Sequence, residues 1–563
     1  MFKGIGASSG ITIGKVLLLE KEDIHIQRTT IENVEEEKDK FKKAIDISKE
    51  QIEVIKSKAG EEQKSILDAH LMVLQDPELI TSVEEKITSK KLNVEAALED
   101  VLKTFISIFE AMDDEYMRER AADIKDVGQR AMMNLFGKEM TNLAELDEPV
   151  IIAAHDITPS DTAQMNGEKV LGFITDIGGR TSHSAIMARS MEIPAIVGLG
   201  SITKEVKTGD LVVFDGNEGI VMVNPEASII KEYEERKEKE IAEKAELRKL
   251  VNSHTVSKDG RKIELASNIG NPKDAKKASE NGAEGIGLYR TEFLYMDRAN
   301  LPTEEEQFLA YKEVLKIMGQ RPVIIRTLDI GGDKELPYLN LPKEMNPFLG
   351  YRAIRICLDQ KYIFKTQLRA LLRASVYGNL KIMYPMISSL EEIRQANSVL
   401  EEVKQDLQKE NIDYSSNIEV GIMIEIPAAA VISHMLAKEV DFFSIGTNDL
   451  IQYTTAVDRM NEKISYLYNP FNPAVLALIK LVIDNGHKEG IWVGMCGEVA
   501  GDPRLIPVLL GMGLDEFSMS AASVLPARKQ IQGLSYEEMQ KVADKVLEMN
   551  IADAIEAFVK QYQ

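Results

Sequence analysis

The chain has 563 residues, enough for about three or four domains that each bury a core, and 44% hydrophobic with 28% charged content is the make-up of a globular protein. Its net charge of −23 argues against binding to nucleic acid or to an anionic membrane surface and suits a basic protein partner. Two cysteines far apart, Cys357 and Cys496, exclude a disulfide framework and fit a reducing cytoplasm, and no run of about 18 apolar residues predicts a membrane span.

Residues 1–20 read as a strand pair broken by glycines, with none of the basic-then-apolar layout of a secretory leader. From about residue 30 to 140 long charged helices follow, divided near Gly60, Pro77 and Gly137. Strand-like runs resume at PVIIAAHDI, KVLGFITD, LVVFDG and IVMVNP. The expected plan is a small α/β domain over 1–29 plus 144–225, with a helical bundle over 30–143 inserted in it. Residues 226–255 are highly charged and free of proline and glycine, so 226–260 is expected to form a linker helix. Over 261–563 come eight apolar runs: KIELAS, GIGLYR, VIIRTL, KIMYPM, EVGIMIEI, DFFSIG, IWVGMC and EFSMS. Their alternation with helix-compatible segments predicts a (β/α)₈ barrel. A doubly wound open sheet is the alternative, but no Gly-rich dinucleotide turn follows the first strand.

The run GGRTSHSAIMAR (179 is its second glycine) places His183 after a Gly-Gly turn and two hydroxyl residues, in the first turn of a helix. The unpaired N–H groups and positive dipole there favour a neutral imidazole, a potential nucleophile, and would hold a phosphoryl group placed on the ring. A helix-capping or surface histidine fits the same pattern. His70, His155, His254 and His434 read as packing or surface residues.

Polar residues collect at the C-terminal ends of the expected barrel strands, the end where active sites of this fold lie. They are Arg290 and Thr291, Arg326 with the loop Asp329–Lys334, Glu425, Asn448, Asp449, Arg459, Cys496 and Glu498; Arg352 and Arg355 belong to a nearby segment. Several arginines at one mouth imply a ligand with more than one acidic group. Glu425 and Asp449, carboxylates from different strands, call for a cation between them, and hard oxygen ligands suit Mg²⁺. That equipment fits phosphoryl transfer, and Cys496 at the same mouth is a candidate proton donor. Singly, each has a plainer reading: surface salt bridges, a structural acidic pair, a small buried cysteine. Their joint placement favours function. A barrel lyase or kinase with no protein acceptor, and a non-catalytic scaffold, are the rival classes.

GGRTSHSAIMAR, LYRTEFLYM, IIRTLDIGGDK, NPFLGYRAIRI, IEIPAA, GTNDLIQYTTAVDR and GMCGEVAGD together resemble, end to end, the phosphoenolpyruvate–protein phosphotransferase family, enzyme I of the bacterial sugar phosphotransferase system. Related dikinases add an ATP-binding domain for which this chain leaves no room, and Ser184 stands where the family often has threonine. The resemblance implies a swivelling phosphohistidine domain, an inserted domain that binds a small histidine phosphocarrier protein, and a barrel that binds phosphoenolpyruvate and forms a homodimer. It implies transfer of phosphate from phosphoenolpyruvate to Nε2 of His183 and then to the carrier, with release of pyruvate. It implies that Arg290 and Arg326 bind substrate, that Arg459 and the backbone of Asn448 and Asp449 complete the clamp, and that Arg352 adds a phosphate contact. Glu425 and Asp449 would hold Mg²⁺, Cys496 would protonate the enolate, and Thr162 would orient His183.

Overall fold

A computed structural model of the chain describes all residues except 20–25, 59–60, 111–114, 139–141, 145, 166–168, 180–181, 192, 297, 333, 335, 340, 462 and 563, and a few helical side chains, His183 among them. The chain divides into two units, Met1–Ala242 and Glu243–Gln563.

The first unit is built on β1 (Phe2–Lys3), β2 (Ile5–Ser8), β3 (Ile11–Leu19), β4 (Val150–Ala154), β5 (Val170–Thr175), β6 (Ala195–Val197), β7 (Leu211–Asp215) and β8 (Ile220–Val223). They form one sheet in the order β1-β8-β7-β3-β4-β5-β6-β2. The strands β3 to β6 run parallel, and β4 is buried along its whole length, which is why it reads as an unbroken apolar run. The expected strand pair at the N-terminus is three strands, and β6, at three residues, is too short to show a period.

Five helices lie between β3 and β4: α1 (Val34–Lys58), α2 (Glu61–Leu74), α3 (Pro77–Lys90), α4 (Val94–Glu110) and α5 (Glu115–Leu135). They share a core that includes Phe41, Ile52, Leu67, Leu74, Val83 and Leu98. The break expected near Pro77 is there: Asp76 caps α3 and Pro77 opens it, where its missing N–H costs nothing. The break before α4 has no glycine to mark it, because Lys91 takes the left-handed conformation, φ 51°. The break expected near Gly60 falls outside the described residues.

Three short helices follow within the sheet region: α6 (Pro159–Gln164), α7 (His183–Ser190) and α8 (Ile202–Glu205). The charged segment forms α9 (Ala227–Arg248). Its first turns pack Ile229, Ile230 and Tyr233 on Ile11, Val213 and Met222, and Arg236 pairs with buried Asp215 at 2.6 Å. Most of its later residues are exposed.

The second unit is a closed parallel barrel of β9 (Glu264–Ile269), β10 (Gly285–Arg290), β11 (Pro322–Arg326), β12 (Asn379–Tyr384), β13 (Glu419–Ile424), β14 (Phe442–Ile445), β15 (Trp492–Met495) and β16 (Glu516–Met519). Pairing of β16 with β9 closes it and excludes the open sheet. Leu288, Ile324, Met383, Met423, Phe442 and Cys496 fill its interior, while a larger core joins the outer faces of the strands to the surrounding helices. Fully buried Arg528 donates to the carbonyls of Leu250, Val251 and Gly282, tying the segment after α9 to this unit. No described helix is long and apolar enough to cross a membrane.

Candidate active site

Two sites emerge, one in each unit. In the first unit, Gly178 turns the chain at φ 119° and Ser182 caps α7 by accepting from the Ala185 N–H at 3.4 Å. His183 is therefore the first residue of α7, at the positive end of the helix, as its sequence context predicts. Its side chain, Arg180 and Thr181 lie outside the described residues. Thr162 is buried near the end of α6, which packs against α7. The Thr162 hydroxyl donates to the Pro159 carbonyl at 2.9 Å and keeps its lone pairs for a donor.

The helix α6 is anchored to the helical insert. The Ser160 N–H donates to Asp126 at 3.0 Å, and His70, fully buried, lies 3.4 Å from the Ser160 hydroxyl and 3.2 Å from Asp123. His70 is thus a buried link rather than a surface group. Asp161, in the capping box of α6, is pushed up to about 6 by burial and by the neighbouring Asp126 charge.

In the second unit, the strand ends build one connected network. Arg326, at the end of β11, pairs with Glu292 at 2.6 Å and Asp329 at 2.9 Å. Asp329 also takes Arg352 at 3.0 Å, and Lys334 pairs with Glu292 at 2.7 Å. Arg352 reaches Asp449 at 3.5 Å and the Tyr453 hydroxyl at 3.2 Å, and Arg459 reaches Asp449 at 3.5 Å. Burial alone would lower the Arg326 and Arg352 values, but the facing carboxylates raise both; burial alone would raise the Asp329 carboxyl, but Arg326, Arg352 and Lys334 hold it well below the usual range. Beside this network a cavity of about 810 Å³ is lined by Asn268, Arg290, Asn448, Tyr468, Glu498 and Arg504. Asn448 accepts from the Glu498 N–H at 3.4 Å.

Glu425 follows β13, is buried, and accepts from the Met386 N–H at 2.6 Å, a donor aimed by a left-handed residue at φ 56°. Burial and then the Asp449 charge push its carboxyl up to about 8. Asp449 Oδ1 is buried, and its partner is the Arg459 guanidinium at 3.5 Å. Two buried carboxylates close enough for one charge to act on the other fit a hard divalent cation, although no group of three or more His, Cys, Asp or Glu able to hold a metal occurs among the described residues. Cys496 follows β15, is 2% exposed, and is pushed up to about 12 by burial, so it keeps its proton at neutral pH.

Sequence reasoning brings Arg326, Arg352, Asp449 and Arg459 into one ion-pair network, with Glu425 and Cys496 in its field, and Arg290 with Asn448 in the adjoining cavity. It misses Glu292 and Asn268. Glu292 directly follows Arg290-Thr291 and Asn268 is next to last in β9, so strand-end position was the available signal. Arg355 stands apart, holding the Leu349 and Gly350 carbonyls of its own loop.

Comparison with known proteins agrees with this layout. Family models described as PEP-utilising enzyme match in three pieces: the N-terminal domain at residues 3–120, the mobile domain at 146–219 and the PEP-binding domain at 244–536. A phosphoenolpyruvate-protein phosphotransferase of Geobacillus stearothermophilus is 58% identical over 562 residues, covering 99% of this chain and 97% of that one. One of Bacillus subtilis is 58% identical over 563 residues, 99% of each chain. One of Staphylococcus aureus is 56% identical over 567 residues, 100% of this chain and 99% of that one.

Proposed function

The chain belongs to the phosphoenolpyruvate-protein phosphotransferase family, and we propose that its own His183 takes the phosphoryl group of phosphoenolpyruvate and passes it to a histidine of a small phosphocarrier protein, the first step of phosphotransferase-system sugar uptake. The observation that carries the substrate reading is a set of unshared donors. Arg326 Nε and Arg352 Nε are buried without a hydrogen-bond acceptor, a costly state that an anion with phosphate and carboxylate groups would relieve.

In this reading Arg290, Arg326 and Arg352 bind the substrate anion, with Arg459 and the backbone of Asn448 and Asp449 completing the clamp. Glu425 and Asp449 would hold Mg²⁺, which when bound would neutralise phosphate charge. The His183 lone pair forms the N–P bond as the P–O bond to the enol carbon breaks. The enolate then collapses to the ketone as its methylene carbon takes the proton of the Cys496 thiol, giving pyruvate. Thr162 would accept from the imidazole and fix the ring, a positioning role. The nucleophile and the clamp belong to separate units, so α7 must be brought to the barrel mouth for transfer and released toward the carrier.

The division we adopt is 1–29 plus 144–225 for the phosphohistidine domain, 30–143 for carrier binding, 226–260 for the linker and 261–563 for the barrel. The acidic chain suits a basic carrier and a cytoplasmic setting. Exposed Met345 and Leu349, beside a groove with Tyr453 and Val457, support a homodimer through the barrel.

The test is stoichiometry. With phosphoenolpyruvate and Mg²⁺ in single turnover, one pyruvate should appear per acid-labile phosphate on the chain, and Cys496→Ala should slow pyruvate formation about a hundredfold or more. Pyruvate released with no phosphate on the protein would favour a barrel lyase or kinase and overturn the reading.

A further inference from the structure

Asn268 is next to last in β9 and lies on the wall of the cavity that Arg290 and Asn448 also line, yet it takes no part in the proposed reaction. Its amide is already spent. Nδ2 donates to the Cys496 carbonyl at 2.9 Å and to the Ser518 carbonyl at 3.3 Å. The Ser518 hydroxyl, fully buried, donates to Oδ1 at 2.6 Å. Two carbonyls at one end and a hydroxyl at the other fix which way the amide points, since the flipped amide would set its oxygen against both carbonyls. With both N–H groups committed, the side chain has no donor left for an anionic substrate.

The contact reaches past a strand. β9 is hydrogen-bonded to β16, and β16 to β15, so the Asn268 side chain crosses β16 to meet the residue that follows β15. Pairing of β15 with β16 ends at Met495 and Phe517, so the Cys496 carbonyl lies beyond the ladder and takes its donor from a side chain. The same segment is held on its other side from the end of β14. The Cys496 N–H donates to the Ile445 carbonyl at 3.1 Å, and the Glu498 N–H donates to Asn448 at 3.4 Å. A Cβ on Gly497 would run into the Thr447 hydroxyl, so only glycine lets the chain pass there. Cys496 is thus gripped at both ends of its backbone, the N–H by Ile445 and the carbonyl by Asn268. With both flanking peptides pinned, the direction of its Cα–Cβ bond is set, and the sulfur lies 3.9 Å from the Ile445 carbonyl.

We propose that Asn268 is the positioning residue that aims the Cys496 thiol at one face of the enolate. The proposal rests on Cys496 as the acid that completes pyruvate. A misplacement of about 1 Å at a reacting group costs on the order of a hundredfold in rate. The enolate methylene carbon is flat and offers two faces, and a thiol whose backbone is fixed at both ends reaches one of them. Without the Asn268 donor, the Cys496–Gly497 peptide is free to turn. The enolate then outlasts its meeting with the thiol and takes a proton from water on either face. Asn268 acts through Cys496 alone, so its contribution is to the rate and the stereochemistry of protonation and not to substrate affinity.

The (Z)-fluoro analogue of phosphoenolpyruvate in D₂O reads the face directly, because protonation leaves hydrogen, deuterium and fluorine on one carbon. The fluoropyruvate is trapped as it forms by lactate dehydrogenase and NADH, and fluorine NMR separates the two diastereomers of the fluorolactate. Full-length chain with Mg²⁺ and excess phosphocarrier should give one diastereomer. Asn268→Asp, which keeps the shape and withholds the donor, should give both in comparable amounts. With phosphoenolpyruvate itself its kcat should fall about tenfold or more while KM stays within about twofold. Asn268→Ala, which introduces no charge, should behave alike and decides the matter if Asn268→Asp does not fold. A single diastereomer from the folded variant would overturn the proposal. So would a raised KM with kcat unchanged, which would make Asn268 a substrate ligand. Cys496→Ala in the same assay keeps the two ideas apart. A single diastereomer there removes Cys496 as the acid, whereas a mixture there with a single diastereomer from the Asn268 variants removes only the role of Asn268.

Discussion

Asp329 is the hub of the barrel network, and Asp329→Asn probes it with little change of shape. The residue is 2% exposed and its carboxylate joins Arg326 at 2.9 Å, Arg352 at 3.0 Å and Lys334 at 3.6 Å. With the charge gone, Arg326 keeps Glu292 at 2.6 Å, but Arg352 is left with Asp449 at 3.5 Å. Removing one partner of a buried pair costs about 3–5 kcal/mol, mostly from the charge left behind. For a unit spanning Glu243–Gln563, an unfolding entropy of about 2 cal/mol/K per residue turns that into a fall in Tm of about 4–8 °C. Trp492, the single tryptophan, lies in the barrel, so its fluorescence reports this unit alone. Phosphoenolpyruvate should restore part of the loss, since an anion supplies Arg352 with a new partner. An unchanged Tm in the free variant would refute the argument that the network depends on Asp329.

Other expectations follow from single features. Glu425→Ala, or excess chelator, should abolish phosphorylation by phosphoenolpyruvate while phosphate exchange with the carrier survives; full activity in chelator would remove the cation. Burial raises the Glu264 carboxyl from 4.5 to about 7, so the folded barrel holds a proton that the unfolded chain releases in that window. Its contribution is therefore present below about pH 4.5 and is lost as pH rises to about 7, by about 3 kcal/mol. In urea unfolding followed through Trp492, Glu264→Gln should flatten the fall by that amount, and parallel profiles would contradict it. A fragment ending near Lys249 should fold alone, accept phosphate from the phosphorylated carrier and fail with phosphoenolpyruvate. Labelling of that fragment by phosphoenolpyruvate would show that the substrate site had been assigned to the wrong unit.

The barrel was legible because its eight strands are buried parallel runs separated by amphipathic helices, a pattern that survives without any alignment. The α7 start was legible from Ser182 and Gly178, whose local chemistry sets the cap and the turn. What could not be read was pairing. Glu292 follows Arg290 in sequence, yet its partners are Arg326 and Lys334, brought to it only by closure of the barrel. The role of Asn268 was hidden for the same reason. It is next to last in β9, and its partners are Cys496, just past β15, and Ser518 of β16. Breaks such as that at Lys91 escaped because a non-glycine residue holds the left-handed turn.

The central claim is that one histidine carries the phosphate, and direct mapping tests it. The full chain is incubated with labelled phosphoenolpyruvate and Mg²⁺, digested, and its acid-labile, alkali-stable label located. All of it should fall on the peptide containing His183, and His183→Ala should fold with an unchanged Trp492 melting curve yet take no label. Label that persists in His183→Ala, on any other histidine, would contradict the account.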